Sequence, residues 1–173
     1  MSPRTGLGAK HGIKHGIKLG IECGAKMVGY MVTWTTYGSW LPGDKRGYVK
    51  RGKVLPSNPN ILKASKSMQK STTITLNSEQ KAIIRRAILQ EAGKIGHKIE
   101  ALAVCTNHIH LVARPFEESI ESKISRYKNV AMFALCKNGP VKRIWSRGFD
   151  KRFCFNEKSL NQRIQYVKRH AND

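Results

Sequence analysis

Residues 98–113 are KIEALAVCTNHIHLVA, two apolar runs separated by a short polar turn at Thr106-Asn107. Apolar runs of this length bounded by turns are typical of strands, so we predict a β-hairpin with strands at 98–104 and 108–113. Side chains alternate between the two faces of a strand. His108 and His110 therefore point from the same face of the second strand, where two neutral imidazoles could ligate one metal ion.

Strand and helix patterns alternate around this hairpin. Residues 30–36, YMVTWTT, are β-branched and aromatic, which favours a strand. In chain order we predict a strand at 30–36, a helix at about 79–95, the two hairpin strands, a helix at about 117–137, strand-like pieces at 144–145 and 152–155, and a helix from about 157. The order β-α-β-β-α-β-α predicts an α+β, ferredoxin-like (RRM-like) fold. Its antiparallel sheet would have helices on one face and the two histidines on a central strand.

The chain is strongly basic. Its 173 residues, enough for one domain with a buried core, contain 32 Lys and Arg against 11 Asp and Glu, a formal net charge of +21. This imbalance favours a polyanionic partner, most simply nucleic acid, because neutralised phosphates release counterions. A membrane surface is less favoured, since no stretch approaches the roughly 20 apolar residues of a spanning helix.

The first 26 residues differ in composition from the rest. They are rich in Gly and Lys and contain the echo HGIK-HGIK-LGIE, and frequent Gly opposes a helix. We predict a basic extension without fixed structure at 1–26 and a folded domain at 27–173. The start lacks the pattern of a secretion signal, and the four cysteines lack metal-site spacing, so we expect a cytoplasmic protein with reduced thiols.

A long basic connection runs from Asp44 to about Lys70. A connection of this length is unusual in a compact domain and is often functional. Its closely spaced basic side chains could follow a nucleic-acid backbone, or they could form a solvated loop, and the net charge favours binding. These residues are Lys45, Arg46, Lys50, Arg51 and Lys53.

The last predicted helix carries a second pair of polar side chains. Tyr166 and His170 are four residues apart and share one helix face. At about 100° per residue, both flank the apolar stripe formed by Leu160, Ile164, Val167 and Ala171. A side chain at this margin can reach over the edge of the sheet on which the helix packs. Arg163 lies on the same flank and could contact a phosphate.

Each of these side chains also has an ordinary structural interpretation. A single histidine on a strand is more often a hydrogen-bonded core or surface residue than a metal ligand, and a helical tyrosine often serves packing. Two histidines at i and i+2 in an apolar strand are harder to explain in this way, because burying both rings without partners costs free energy.

Four blocks of the chain resemble the single-tyrosine HUH transposases of bacterial insertion sequences, including the REP-associated tyrosine transposases. The blocks cover nearly everything after Met27 and occur in the family's order. They are VTWTTYGSWLPGDKRG (32–47), TNHIHLV (106–112), WSRGFDKRF (145–153) and SLNQRIQYVKRH (159–170).

The resemblance implies a role for each site residue. His108, His110 and His170 would hold a divalent ion, Mg²⁺ or Mn²⁺, and Tyr166 would attack a phosphate of single-stranded or hairpin DNA. The product would be a 5′-phosphotyrosine and a free 3′-OH, which a second 3′-OH could rejoin. Many family members have Gln or Asn where this chain has His170. Three imidazoles suit Mn²⁺, Co²⁺ or Zn²⁺ better than Mg²⁺, so we expect a preference for Mn²⁺.

The resemblance also implies a setting for this activity: a bacterial, nucleoid-associated protein and, in some members, a homodimer that exchanges the tyrosine helix. Two alternatives remain at this point. One is a replication-initiator or relaxase-type HUH nuclease, which usually has a longer chain. The other is a non-catalytic RRM-like module that binds nucleic acid through aromatic residues on its central strands.

Overall fold

The computed structural model describes residues 26–50, 53–137 and 143–171. The extension predicted at 1–26 therefore lies, apart from Lys26, outside the described residues, as does Arg51. The elements in chain order are β1 (Gly29–Thr35), β2 (Tyr48–Lys50), β3 (Lys53–Leu55), α1 (Pro59–Ser67), α2 (Ser78–Lys94), β4 (Ile99–Val104), β5 (His108–Ala113), α3 (Ile120–Cys136), β6 (Asp150–Cys154) and α4 (Glu157–His170).

The main sheet has the strand order β4-β5-β1-β6, and every neighbouring pair is antiparallel. The prediction of an α+β fold with an antiparallel sheet is therefore confirmed. The hairpin predicted at 98–113 forms the β4–β5 pair, and β5 begins at His108 and lies between β4 and β1. The register sets His110 opposite Thr33 and His108 opposite Thr35, which places these four residues on one face of the sheet.

Helices cover both faces of this sheet, which differs from the expectation of helices on one face only. Helices α2 and α3 share the larger core with Tyr30, Val32 and Trp34 of β1. Helix α4 shares a second core with Met31 and with the alternate residues of β4. The reason is that β4 is apolar on both sides, Leu102 facing one core and Ala101 and Ala103 the other.

The connection after β1 is more regular than a long loop. It contains the hairpin of β2 and β3 and the short helix α1. Asn58 caps α1 by accepting a hydrogen bond from the Ile61 N–H, and Pro59 occupies the first turn, where its missing N–H is not needed. The strand predicted at 144–145 is an isolated bridge between Thr36 and Trp145. Of the helices in the described ranges, none has the length and apolar character needed to cross a bilayer.

His97 occupies a buried polar site on the α2–α3 face. Its Nε2 is 3.1 Å from the Tyr30 hydroxyl and its Nδ1 is 2.6 Å from the Tyr127 hydroxyl, and both phenol rings stack on it. Burial, with the nearby charge of Lys123, lowers the pKa of His97 below its ordinary value. The folded protein therefore holds this imidazole neutral in conditions where the unfolded chain protonates it.

We predict that this histidine makes the fold less stable in mild acid. Because the pKa of His97 is lowered on folding, the unfolded chain binds more protons as the pH falls below about 6.5, and the free energy of unfolding decreases. His108 and His110 contribute with the same sign. Urea unfolding of His97→Gln in chelator, measured between about pH 7.5 and 5.5, should show a smaller pH slope than the wild type. Equal slopes would contradict the assignment.

Candidate functional site

Four side chains meet on the sheet face covered by α4. His108 and His110 come from β5, and Tyr166 and His170 from α4. The His110 ring lies between the others, with its centroid 4.6 Å from that of His108, 5.4 Å from His170 and 5.5 Å from Tyr166. The Tyr166 and His170 centroids are 4.3 Å apart. One chain therefore brings together all four residues that the sequence analysis singled out as ligands and nucleophile.

The apolar stripe of α4 explains why Tyr166 and His170 reach this place. Leu160, Ile164 and Val167 are buried against β4 and β5. Tyr166 lies beside this stripe and is 38% exposed. The start of α4 is fixed by the Asn156 cap. These observations agree with the predicted flank position of the two polar side chains.

Hydrogen bonds fix the tautomer of two imidazoles. His170 Nδ1 is 3.0 Å from the Tyr166 carbonyl oxygen, and His108 Nδ1 is 2.7 Å from Asn107 Oδ1. Both oxygens can only accept, so each Nδ1 must carry the proton and donate it. The Nε2 atoms of His108 and His170 are left with their lone pairs, as a metal ligand requires.

His110 is the most buried of the three histidines, with 6% of its surface exposed. A hydrogen bond of 2.7 Å joins its Nδ1 to Thr33 Oγ1 on the neighbouring strand. Burial, followed by the charges of His108 and His170, lowers the pKa of His110 to about 4. The pKa of His108 is lowered by burial, by His170 and by Arg46. Both rings are therefore neutral at pH 7, the form that binds metal.

Three imidazoles are suitable ligands for a divalent metal ion, but the three rings are not yet arranged to ligate one ion together. Two imidazoles bound at about 2.1 Å place their ring centroids roughly 4.5–5.2 Å apart, close to the separations of His110 from His108 and His170. In the described part of the chain, however, no group of three or more His, Cys, Asp or Glu side chains is arranged to hold a metal ion. Ligation by all three imidazoles therefore requires a rotation of their side chains.

The residues predicted to bind DNA lie in different environments. Lys45, Arg46 and Lys53 are exposed, whereas the side chain of Lys50 and all of Arg51 lie outside the described residues. Arg163, one turn before Tyr166, is half-buried, and its Nε is shielded from solvent without a hydrogen-bond partner among the described residues. A buried unpaired N–H is costly, so this atom is suited to a ligand oxygen.

Sequence reasoning did not single out Thr33 or Asn107, the partners of the two strand histidines. Thr33 is 77 positions from His110, and only the strand register brings the two together. Asn107 precedes His108 directly, and a side chain that accepts hydrogen bonds next to a candidate ligand is a signal that the sequence did offer.

The fold is similar to that of a REP-associated tyrosine transposase solved bound to a REP hairpin. The TM-score is 0.52 with 17% sequence identity, over 82% of this chain and 65% of that protein. This chain thus spans slightly less than two thirds of the length of that transposase. A candidate transposase from Deinococcus radiodurans R1 is also similar, with a TM-score of 0.46 and 13% identity over 91% of this chain and 98% of the other.

No protein-family model matches the sequence, and no curated protein sequence does. The fold implied by the resemblance to single-tyrosine transposases is confirmed by the REP-associated structure. The chain therefore has a fold similar to that of this transposase, with a tyrosine and three histidines grouped on one face of its sheet.

We predict the tautomers of these histidines in the metal-free protein. Long-range ¹H–¹⁵N correlation spectra, recorded at about pH 8, where an ordinary imidazole is neutral, should show His108 and His170 protonated on Nδ1. His108→Gln and His170→Gln variants assign the signals. Protonation of both rings on Nε2 would contradict the hydrogen bonds described here and the availability of those atoms to a metal.

Proposed function

We propose that this chain is a DNA strand transferase, with residues 27–173 as its catalytic domain. It would cut single-stranded DNA beside a hairpin and rejoin it, as a transposase does. One observation carries the proposal: a partly exposed tyrosine of α4 lies against His110 and His170, with His108 next to His110, in a fold similar to that of a transposase. The uncharged imidazoles of His108 and His110 and a partly exposed tyrosine are groups that such chemistry needs.

Tyr166 would act as the nucleophile. Its oxygen attacks the phosphorus of one phosphodiester, the bond from phosphorus to the 3′-oxygen breaks, and that oxygen leaves as a 3′-OH with the proton that the phenol gives up. The phosphate stays on the 5′ end of the downstream strand as a phosphotyrosine. A covalent link conserves the energy of the phosphodiester, so a second 3′-OH can reverse the step without ATP.

His108, His110 and His170 would hold a divalent ion, Mg²⁺ or Mn²⁺, through their Nε2 atoms. When bound, such an ion stabilises the negative charge that develops on the phosphate oxygens in the transition state. Thr33 and Asn107 orient the two strand histidines, and the Tyr166 carbonyl orients His170. All three histidines belong to one chain, so this arrangement would not require a homodimer.

Hairpin DNA is the substrate that we propose, since the REP-associated neighbour was solved with a REP hairpin and the chain carries a formal charge of +21. The basic residues of the β1–α1 connection would contact the phosphates of the hairpin, and Arg163 a phosphate of the cut strand. The protein would meet this DNA at the nucleoid, in a bacterial cytoplasm.

The alternatives fit the site less well. An RRM-like binding module needs exposed aromatic rings on its central strands, but Tyr30 and Trp34 of β1 are buried in the core. Strand β5 carries histidines in place of such rings. A replication initiator or relaxase would use the same groups and differs in its substrate, so the DNA that is cut separates it from a transposase.

We predict that Tyr166→Phe binds DNA normally and forms no covalent adduct. The substrates are inverted-repeat oligonucleotides from the DNA flanking the gene, and the adduct is resolved on denaturing gels. Tyr127→Phe, which removes a hydroxyl from the opposite face of the sheet, is the matched control and should keep the adduct. If Tyr166→Phe cleaves at the wild-type rate, another group is the nucleophile.

We also predict a dependence on the metal ion. Three imidazoles favour Mn²⁺ over Mg²⁺, so adduct formation should be several-fold faster in Mn²⁺ at equal concentration and should stop in chelator. His170→Gln replaces a nitrogen ligand by an oxygen ligand and should bring the two rates closer together. Equal rates in both ions for the wild type would show that the three histidines do not form the ligand set.

A further inference from the structure

The loop between β1 and β2 is tied directly to the turn that precedes His108. The backbone N–H of Thr36 donates to the Asn107 carbonyl at 2.9 Å, and Ser39 Oγ lies 3.1 Å from the same oxygen. Asn107 in turn accepts the hydrogen bond from His108 Nδ1. A continuous set of hydrogen bonds therefore fixes this loop relative to the histidine site.

Arg46 of this loop contacts Asp44, Ser39 and Trp40. Its Nε donates to Asp44 Oδ1 at 2.8 Å, and its Nη2 donates to Asp44 Oδ2 and to the Ser39 carbonyl, both at 2.9 Å. The guanidinium lies over the Trp40 ring, 5.2 Å from its centroid. Trp40 is itself fixed by a hydrogen bond from its Nε1 to the Gly47 carbonyl at 2.7 Å.

These contacts hold one edge and one face of the guanidinium and leave another edge available. Arginine has five N–H donors, and Asp44 and Ser39 take three of them. The two on Nη1 have no hydrogen-bond partner in the described parts of the chain, and the side chain is 49% exposed. Ser39 joins Arg46 to the turn before His108, because its carbonyl accepts from Arg46 Nη2 and its hydroxyl donates to the Asn107 carbonyl. One residue therefore connects the guanidinium with the turn that carries the histidine site.

A surface ion pair of Arg46 with Asp44 would by itself contribute little to stability. An aromatic support, a bidentate carboxylate and a backbone carbonyl together reduce the motion of the guanidinium, and such preorganisation improves the binding of a ligand. Arginine matches the oxygens of a phosphate in particular. The same loop thus orients a phosphate-binding group and connects it to the turn that holds His108.

We infer that Arg46 binds a phosphate of the DNA strand in the histidine site, next to the phosphate that Tyr166 attacks, and that Asp44 and Trp40 are its positioning residues. This inference rests on the proposed function for the presence of that strand. It separates Arg46 from the other basic residues of the connection, which would contact the hairpin through charge alone.

Adduct formation by Arg46→Gln and Arg46→Lys tests this inference. The probe is a fluorescein-labelled inverted-repeat oligonucleotide from the flanking DNA, and single-turnover rates are measured against protein concentration. Arg46→Gln should lower the apparent second-order rate constant roughly 10- to 100-fold, the value of a charged hydrogen bond. Arg46→Lys should recover only part of the lost rate, because an ammonium cannot donate two parallel hydrogen bonds to the Asp44 carboxylate. Arg86→Gln, an equal loss of charge on the exposed side of α2, should match the wild type.

Neutral methylphosphonate linkages, introduced one at a time, identify the phosphate. In the wild type, one linkage near the cut should weaken binding and cleavage, and at that linkage Arg46→Gln should show no additional loss. Asp44→Asn should reduce the sensitivity to that linkage, a response that a purely structural role of Asp44 would not produce. Thermal unfolding of each variant verifies that it is folded.

The outcomes separate this inference from the proposed function. A wild-type adduct together with unchanged rates and an unchanged methylphosphonate profile in Arg46→Gln would overturn the role of Arg46 alone. No wild-type adduct with any flanking oligonucleotide would count against the proposed function. Binding is followed in parallel by fluorescence anisotropy, so equal affinities of wild type and Arg46→Gln for every linkage would overturn the inference even in that case.

Discussion

The candidate site depends on one packing contact, that of α4 with the small residues of β4 and β5. Leu160, Ile164 and Val167 are buried against Ala101, Ala103 and Val112. Each buried aliphatic side chain contributes about 1.5–3 kcal/mol, so the three together fix the position of the helix. Because this stripe is narrow, the flanking Tyr166 and His170 are held beside the β5 histidines without being buried themselves.

The proposed cation site would lie in a strongly basic protein. With a formal charge of +21, the chain opposes the binding of any positive ion at long range. Locally, burial lowers the pKa values of His108 and His110, which keeps both rings uncharged. Their Nδ1 atoms are engaged by Thr33 and Asn107. The uncharged rings of His108 and His110 would allow the proposed cation to bind despite the surrounding charge, and the same charge would attract the proposed DNA substrate.

The sequence predicted those parts that depend on local periodicity. The helix expected at about 79–95 is observed at Ser78–Lys94, and the hairpin histidines lie on a central strand. The connection after β1 was missed because its strands have three residues and its helix nine, too short for a periodic pattern. The face chosen by α4 could not be predicted, because β4 is apolar on both sides. Arg46 differs from the neighbouring basic residues through its contacts with Asp44, Ser39 and Trp40, and the sequence of charged residues alone does not predict these contacts.

The central claim is that Tyr166 becomes covalently attached to DNA on a site made by three histidines of the same chain. Mass spectrometry of a trapped adduct tests this most directly. After trypsin and nuclease digestion, the peptide of residues 164–168, IQYVK, should carry a nucleotide attached through its 5′-phosphate, and the released strand should end in a 3′-OH. An adduct on another residue, or cleavage products with a 3′-phosphate, would contradict the claim.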